Sequence, residues 1–504
     1  MRNTHLILAG LVLALSGPLT AATIEVDTPV DTIDESDGAC SLREALINSA
    51  NNDQSGSRNC EAGEAATDTI LFSGLPANAT ITLTAGVLPT ISDDLEIFGP
   101  DPDNPGSLVI DARNASRIFE VDGVQLTLRG LTLANGTTDK DDEPGGAMHI
   151  SGGADVSLQD LFVIDSMTEG VDSPGGAIYA ANAAQLSLSN VQMARNQARA
   201  AGGGAIFVTG TPLSVVDSVF GENLASGRGG AIHAVGDPVS ITSSIFLHNS
   251  TSGDSSFGGA LFMDGAGLVM TGTELISNTT SGANSHGGAL YLRNATLSVS
   301  GGIFDRNSVA GFSANGGAIS TIEAEVDLLD CQFVGNTTQQ DGGWGGAMRI
   351  GTGGLKMDGC LISDNWTQGD DAHGGGIYLI TGDAQIRNSQ IVNNETNGAA
   401  AQGGGVRVRD GDLLLEDSLI ENNSTMGAGA RGGGVYHRNG QARLTRVEVI
   451  GNITAGLDAH GAGVYLFDSG LDLQHGRIAN NRIEGSAVGA GMGLFSGDFQ
   501  IHGA

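Results

Sequence analysis

Apolar and polar positions alternate along this chain in bursts of three or four residues, and from about residue 145 the bursts recur with nearly constant spacing. The stretch Gly287 to Asn315 serves as the type unit. Leu290 and Leu292 flank an outward Tyr291, which is the period-two signature of a strand, and Leu297 with Val299 makes a second. Gly301-Gly302 turns the chain and Phe304 supplies a third apolar anchor, three residues before Asn307. Three short strands per 29 residues, with no helical period, predict one coil of a parallel β-helix. Such a coil cannot bury its apolar side alone and must stack on its neighbours.

The columns repeat through the chain. A Gly-Gly-Ala-aliphatic tetrad, written Gly-Gly-Gly or Gly-Ala-Gly in its last five copies, recurs thirteen times, and a single asparagine returns at Asn249, Asn278, Asn307, Asn336, Asn365, Asn394, Asn423, Asn452 and Asn481. Three residues before these stand Phe246, Leu275, Phe304, Phe333, Ile362, Ile391, Ile420, Val449 and Ile478, the expected core. The asparagines themselves are expected at a turn, where each amide can bond its neighbours above and below. That makes them a structural ladder rather than catalytic groups. The Gly-Gly pairs begin at Gly145, Gly175, Gly203, Gly229 and Gly258, so irregular loops are confined to the first coils. At one strand spacing per coil, ~4.8 Å, the repeat region is roughly 60 Å long.

The N-terminus predicts a helical cap. Ser41 with Glu44 three residues later reads as a capping box, and Leu42, Ala45 and Leu46 give the following helix one apolar face to lid the first coil. Arg43 and Glu44 read as structural charges. Ahead of them, Arg2, an apolar run from Leu6 to Leu15 and the small residues Thr20-Ala21-Ala22 form an export signal over residues 1–22. The run is about half the roughly 20 residues a membrane-spanning helix needs, and no later stretch qualifies. The expected division is thus a signal peptide, 1–22, a cap with the first coils, 23–120, and the repeats, 121–504, with Phe499 and Ile501 aligning to Leu471 and Leu473 so that the chain stops in mid-coil.

Charge narrows the partners. A formal net charge of −34, with 23 basic residues against 57 acidic ones, argues against nucleic acid and anionic membranes, and insertion into a membrane is not expected. The acids are scattered, as solubility alone would have them. Four cysteines in an exported chain suggest two disulfides. Cys40 and Cys60 bracket the cap helix. Cys331 and Cys360 share one column in adjacent coils, where either a bond or a stack of small core residues fits.

Catalytic chemistry finds no local cluster. The run Asp139 to Glu143 reads as a solvated turn, and His286, His373 and His460 stand three coils apart, too far to share a metal. No catalytic residue, metal site or cofactor is assigned. The suggestive feature is a column just after each tetrad, predicted to point outward, which holds Tyr179, Phe207, Phe262, Tyr291, Tyr378, Tyr436 and Tyr465. It offers a docking ladder for a glycan or a cell-surface protein. The alternative is that stacked rings brace adjacent strands.

The segments Gly175-Gly176-Ala177-Ile178 and Gly316-Gly317-Ala318-Ile319, with the Phe-x-x-Asn steps Phe220 to Asn223, Phe246 to Asn249 and Phe333 to Asn336, resemble the repeats of polymorphic outer-membrane proteins. Cys40-Ser41-Leu42-Arg43-Glu44-Ala45 resembles the CSLREA-domain family of secreted bacterial proteins. Together the resemblances span nearly all of the mature chain. They imply a secreted or cell-surface β-helix, sometimes adhesive, and no particular reaction. Unlike the polymorphic proteins, this sequence shows no C-terminal barrel, so either a C-terminal portion is missing or the open end pairs with another copy. The resulting expectation is an all-β, right-handed parallel β-helix of about 13 or more coils with a helical cap, the handedness resting on the resemblance and on the general bias of parallel crossovers. Its expected role is adhesion or ligand display outside a bacterial cell. The alternatives are a polysaccharide lyase or glycoside hydrolase and a purely structural rod.

Overall fold

The computed structural model describes residues 21–502 apart from 102, 266 and 486–488, so nearly all of the expected export signal lies outside the described residues. Within them the chain winds through about 15 turns of a parallel β-helix. Every strand pair is parallel and in register from coil to coil. Leu261 pairs with Leu290, Leu290 with Ile319, Ile319 with Met348 and Met348 with Ile377, so one apolar column runs along the axis. All five are buried. Phe220 stacks on Phe246 with centroids 4.7 Å apart, and Phe304 on Phe333 at 4.4 Å, as the three-before-asparagine column requires.

The type coil shows one difference from the expected three strands. The first two form a single bent strand, Leu290–Ser300, followed by Ile303–Asp305, and a further two-residue strand, Ser308–Val309, follows Asn307. These short strands make a second sheet of their own, 13 strands deep. The asparagine explains it. By bonding the next coil, it holds the chain flat for two more residues beyond the corner.

Each corner is built by one device. A residue with left-handed backbone precedes a buried ladder residue: Glu222 (φ 57°) before Asn223, Asp217 (φ 49°) before Ser218. Asp, Asn and Gly tolerate that conformation best, which explains their frequency at these corners. The ladder then closes all amide valences. In every coil from Asn196 to Asn452 the Oδ1 of the next asparagine accepts both the backbone N–H and the Nδ2 of the one before, as Asn278 Oδ1 does from Asn249 at 3.0 Å each. The second Nδ2 hydrogen goes to a backbone carbonyl one coil back, Phe220 O for Asn249 at 2.9 Å.

The second ladder corrects one cysteine expectation. Cys331 and Cys360 are free, buried thiols in a column of serines. The Sγ of Cys360 accepts the Cys331 N–H at 3.3 Å and faces the Asp358 carbonyl at 3.3 Å. Ser218 behaves alike, its Oγ accepting from Val191 N and donating to Val216 O. The two cysteines therefore point the same way along the stack rather than toward each other. Cys40 and Cys60, by contrast, form a disulfide.

The cap is a helix, α1 (Leu42–Asn51), with both halves of the Ser41/Glu44 capping box formed, and Leu42, Ala45 and Leu46 joined to the core. Arg43 pairs not with its neighbour but with buried Asp31, through Nε to Oδ1 at 2.7 Å and Nη2 to Oδ2 at 3.1 Å. Its remaining donors reach Val87 O and Gly86 O. Among the described residues no helix is long and apolar enough to cross a membrane.

Candidate ligand-binding face

The outward column is where the sequence pattern places it, on the far side of the strand from the core, but it is not a free surface. Phe262, Tyr291, Tyr378, Tyr436 and Tyr465 are buried, Tyr378 to 1%, while Tyr179 and Phe207 are half-buried. The cover comes from the residue ahead of each glycine step. Phe257, His286, Trp344, His373, Arg431 and His460 form their own in-register column and fold over the rings. Phe257 stacks on Tyr291 at 4.7 Å, and Trp344 meets Tyr378 edge-on at 5.5 Å. The first glycine makes this possible. Gly258 has φ +70°, and a Cβ there would lie 1.9 Å from Leu261 O, so no other residue lets the loop turn so tightly over the strand.

Stacking also decides which part of each ring is presented. Phe262 and Tyr291 lie within 1° of parallel, and Tyr436 and Tyr465 within 18°. Their faces are used on one another along the axis. The expected packing of ring faces against sugar is therefore not available at these stacked positions, and bracing of adjacent strands is what the rings do. What a stacked ring offers outward is its edge, which carries the positive end of the aromatic quadrupole.

Between the two aromatic segments the column changes character. It reads Ser320, Arg349, Tyr378, Arg407, Tyr436 in successive coils. The Arg407 guanidinium lies 4.3 Å from the Tyr378 centroid and 5.4 Å from that of Tyr436, and is 5% exposed. Its Nε and Nη1 have no hydrogen-bond partner among the described residues, nor does Nε of Arg349 or of Arg431. Arg349 Nη1 reaches Thr321 O at 3.0 Å, its guanidinium lying close to Gly351. Arg431 sits 5.5 Å from the Tyr465 ring and Arg438 5.3 Å from that of Phe467. Among the described residues none of these four arginines pairs with a carboxylate, although Arg409, two residues on, pairs with Asp410 at 2.8 Å. Burial pulls the Arg349 and Arg407 guanidinium pKa values below their ordinary range.

Two histidines of the covering column, His286 and His373, are held neutral. Burial, with Arg407 adding to it, lowers His373 to about 2, and burial with Arg349 lowers His286 to about 4. His233, in the same column as the tyrosines, falls to about 3 by burial and Arg228. No group of three His, Cys, Asp or Glu comes together as a metal site among the described residues.

On the other side of the strip a shallow groove follows the turns of successive coils. Its walls carry Glu323, Glu325, Asp383 and Asp412, with Lys356 and Arg443 on the adjoining strand. Two of these acids are spoken for: Asp383 Oδ1 accepts Asp412 N–H and Asp412 Oδ1 accepts Gln441 N–H, both at 2.9 Å. The same use recurs at Asp341 and Asp370 in the loop edge. Much of the scattered acidity thus ties one turn to the next. The Asp139 to Glu143 run is of this kind, with Asp141 accepting from Val171 N and Lys140 paired to Glu143 on an exposed turn.

A family model described as a right-handed β-helix region matches residues 266–502. The chain is a right-handed parallel β-helix. No curated protein matches this β-helix. Two solved structures align with it, the A-modules of mannuronan C-5 epimerases AlgE4 and AlgE6 of Azotobacter vinelandii. The first is 11% identical with a TM-score of 0.21 over 87% of this chain and 91% of that one; the second is 12% identical with a TM-score of 0.20 over 86% and 91%. Neither bears on what this β-helix binds.

The column ahead of the glycine step was missed as a surface by the sequence reading, which noted only its histidines. The signal was present: Phe257, Trp344 and Arg431 stand in the same register as His286, His373 and His460.

Proposed function

We propose that this chain is an exported β-helical scaffold that displays one face for docking an extended ligand, a glycan, and that it acts by adhesion rather than turnover. The observation that carries this reading is the strip from Trp344 to Tyr465. Side chains in two neighbouring columns lie outside the core, touch from coil to coil, and include arginines that no carboxylate pairs among the described residues. A purely structural stack needs the rings but not the unpaired arginines. The resemblance of the cap segment and repeats to secreted surface families supports export and display.

The groove favours a second reading, a polysaccharide lyase or glycoside hydrolase. Glu323 and Glu325 stand two residues apart in its wall, and no hydrogen bond or ion pair engages either carboxylate among the described residues. One experiment separates the readings. The purified mature chain is applied to a broad glycan array while reducing-end release from the same polysaccharides is followed with and without Ca²⁺. Retention without release is the expected result. Release of sugar ends replaces adhesion by the enzymatic reading, and silence in both leaves a structural rod.

A further inference from the structure

We infer that a second face of the coil, the outer side of the strand that follows the tyrosine column, binds an ordered, uncharged lattice of water, the surface of ice. The inference is independent of the docking reading above, since none of its residues belongs to the strip from Trp344 to Tyr465.

The face is built from two outward columns. One holds Ser187, Ser214, Ser240, Val269 and Ser298 in successive coils. The other, two residues on, holds Ser189, Val216, Thr242, Thr271 and Ser300. All are exposed or half-exposed. Between them runs a buried column, Leu188, Val215, Ile241, Met270 and Val299, which fixes each strand against the core. At the corner that ends the strand, Ser218 donates its N–H to Ser244 Oγ at 3.1 Å and so ties one coil to the next. Side-chain ladders of this kind let a sheet of many strands stay flat. Among the described residues no protein group takes the hydroxyl of Ser214, Ser240, Thr242, Thr271 or Ser298. Each is left with one donor and two acceptor positions for whatever lies outside.

Charge singles the face out. The chain carries a net −34, and the same two columns further along hold Asp327, Lys356, Asp358, Arg387, Glu416 and Arg443. The fold therefore tolerates charge at these positions, yet five successive coils hold none. Strand stability does not ask for that. A charged side chain orders its own shell of water, so a surface free of charge is what an ordered, uncharged partner requires.

The repeat selects the partner. Side chains recur about every 4.8 Å along the axis and about every 6.7 Å across it. A single polymer chain repeats in one direction and a folded protein in none, whereas a crystal face repeats in two. Mineral faces are made of ions and call for charge. Crystalline glycans present apolar ring faces and call for aromatic side chains, which these ten positions lack. Ice presents water alone. Hydroxyls on a rigid sheet hold water in repeating positions at little further ordering cost, with the valine and threonine methyls filling the gaps between them.

The test grows ice slowly from a dilute solution of the whole mature chain and measures how much protein enters the ice and how fast small ice crystals coarsen. The variants are Val269→Lys with Thr271→Lys, then Ser298→Asp, which copies Asp327 of the next coil, and Leu414→Lys as a control in the same column outside the face. The melting temperature of each is followed. The parent should enter the ice at least tenfold more than serum albumin and slow coarsening. The lysine pair should lose at least tenfold of that and Ser298→Asp at least threefold, both melting with the parent, while Leu414→Lys loses nothing. If the lysine pair melts lower, Ser298→Asp decides alone. Exclusion of the parent from ice overturns the inference and leaves the docking reading standing. Undiminished entry of Ser298→Asp, or of a lysine pair that melts with the parent, overturns the face. Retention on crystalline cellulose or chitin with exclusion from ice assigns the face to a glycan lattice and overturns ice as its partner.

Discussion

Asn307 Oδ1 takes two hydrogen bonds from a single residue, Asn278: one from its backbone N–H at 2.9 Å and one from its Nδ2 at 3.0 Å. Asn307 in turn gives its own Nδ2 hydrogens to Asn336 Oδ1 and Leu275 O. Replacing it by alanine strands two buried donors and one buried acceptor. Each is worth about 1–3 kcal/mol when left unpaired, so Asn307→Ala should lower stability by about 3 kcal/mol or more in denaturant unfolding. Asn307→Asp should be worse, since a carboxylate cannot donate onward and brings a charge into the stack.

The thiols of Cys331 and Cys360 should be silent in the native state. Their mutual hydrogen bond raises the Cys360 pKa and lowers that of Cys331, so it is burial of both in the core that keeps a reagent from them. A thiol reagent should find close to none per folded chain and two per unfolded, non-reduced chain, the Cys40–Cys60 bond remaining closed. Cys360→Ser places there the residue already found at Ser389 and should change stability by less than about 1 kcal/mol.

Acid should destabilise the molecule through its neutral histidines. His373, His286 and His233 titrate near the ordinary 6.5 when unfolded but at about 2, 4 and 3 when folded. Below pH 6.5 the unfolded chain binds protons that the folded one refuses. Their contribution is therefore intact above pH 6.5 and falls as pH drops toward those folded values, by about 1.4 kcal/mol per pH unit for each histidine. The urea midpoint at pH 5 should lie below that at pH 8, and His373→Phe should flatten the dependence.

The cap depends on Asp31. Burial opposes its ionisation, but hydrogen bonds from Arg43, Ala85 and Thr84 outweigh that and hold its carboxyl below the usual range. Asp31→Ala leaves Arg43 buried with carbonyl partners alone, and should lower stability by about 3–5 kcal/mol, read as early loss of protection in α1 by hydrogen exchange.

What could be read from the sequence was whatever repeats. Phe304, Asn307 and Tyr291 each announce a column because a solenoid places equivalent residues in equivalent surroundings, and the capping box at Ser41 is local chemistry. Partnerships outside the repeat were not legible: Arg43 finds Asp31 twelve residues back, not its neighbour Glu44. Nor was the burial of Tyr378, which depends on Trp344 and His373 folding over it. Period two says which side of a strand a ring leaves from, not what later covers it. The cysteine column shows the same limit, since one strand spacing permits a bond but only side-chain direction decides it.

Because each Asn ladder joint is the same as the next, the molecule behaves as a ruler graduated in single coils. Removing one 29-residue unit between Asn249 and Asn307 should leave every joint intact and the Arg349 to Arg407 interval unchanged. Removing the unit that carries Tyr378 should shorten that interval by one graduation, about 4.8 Å, and bring Arg349 and Arg407 into adjacent coils.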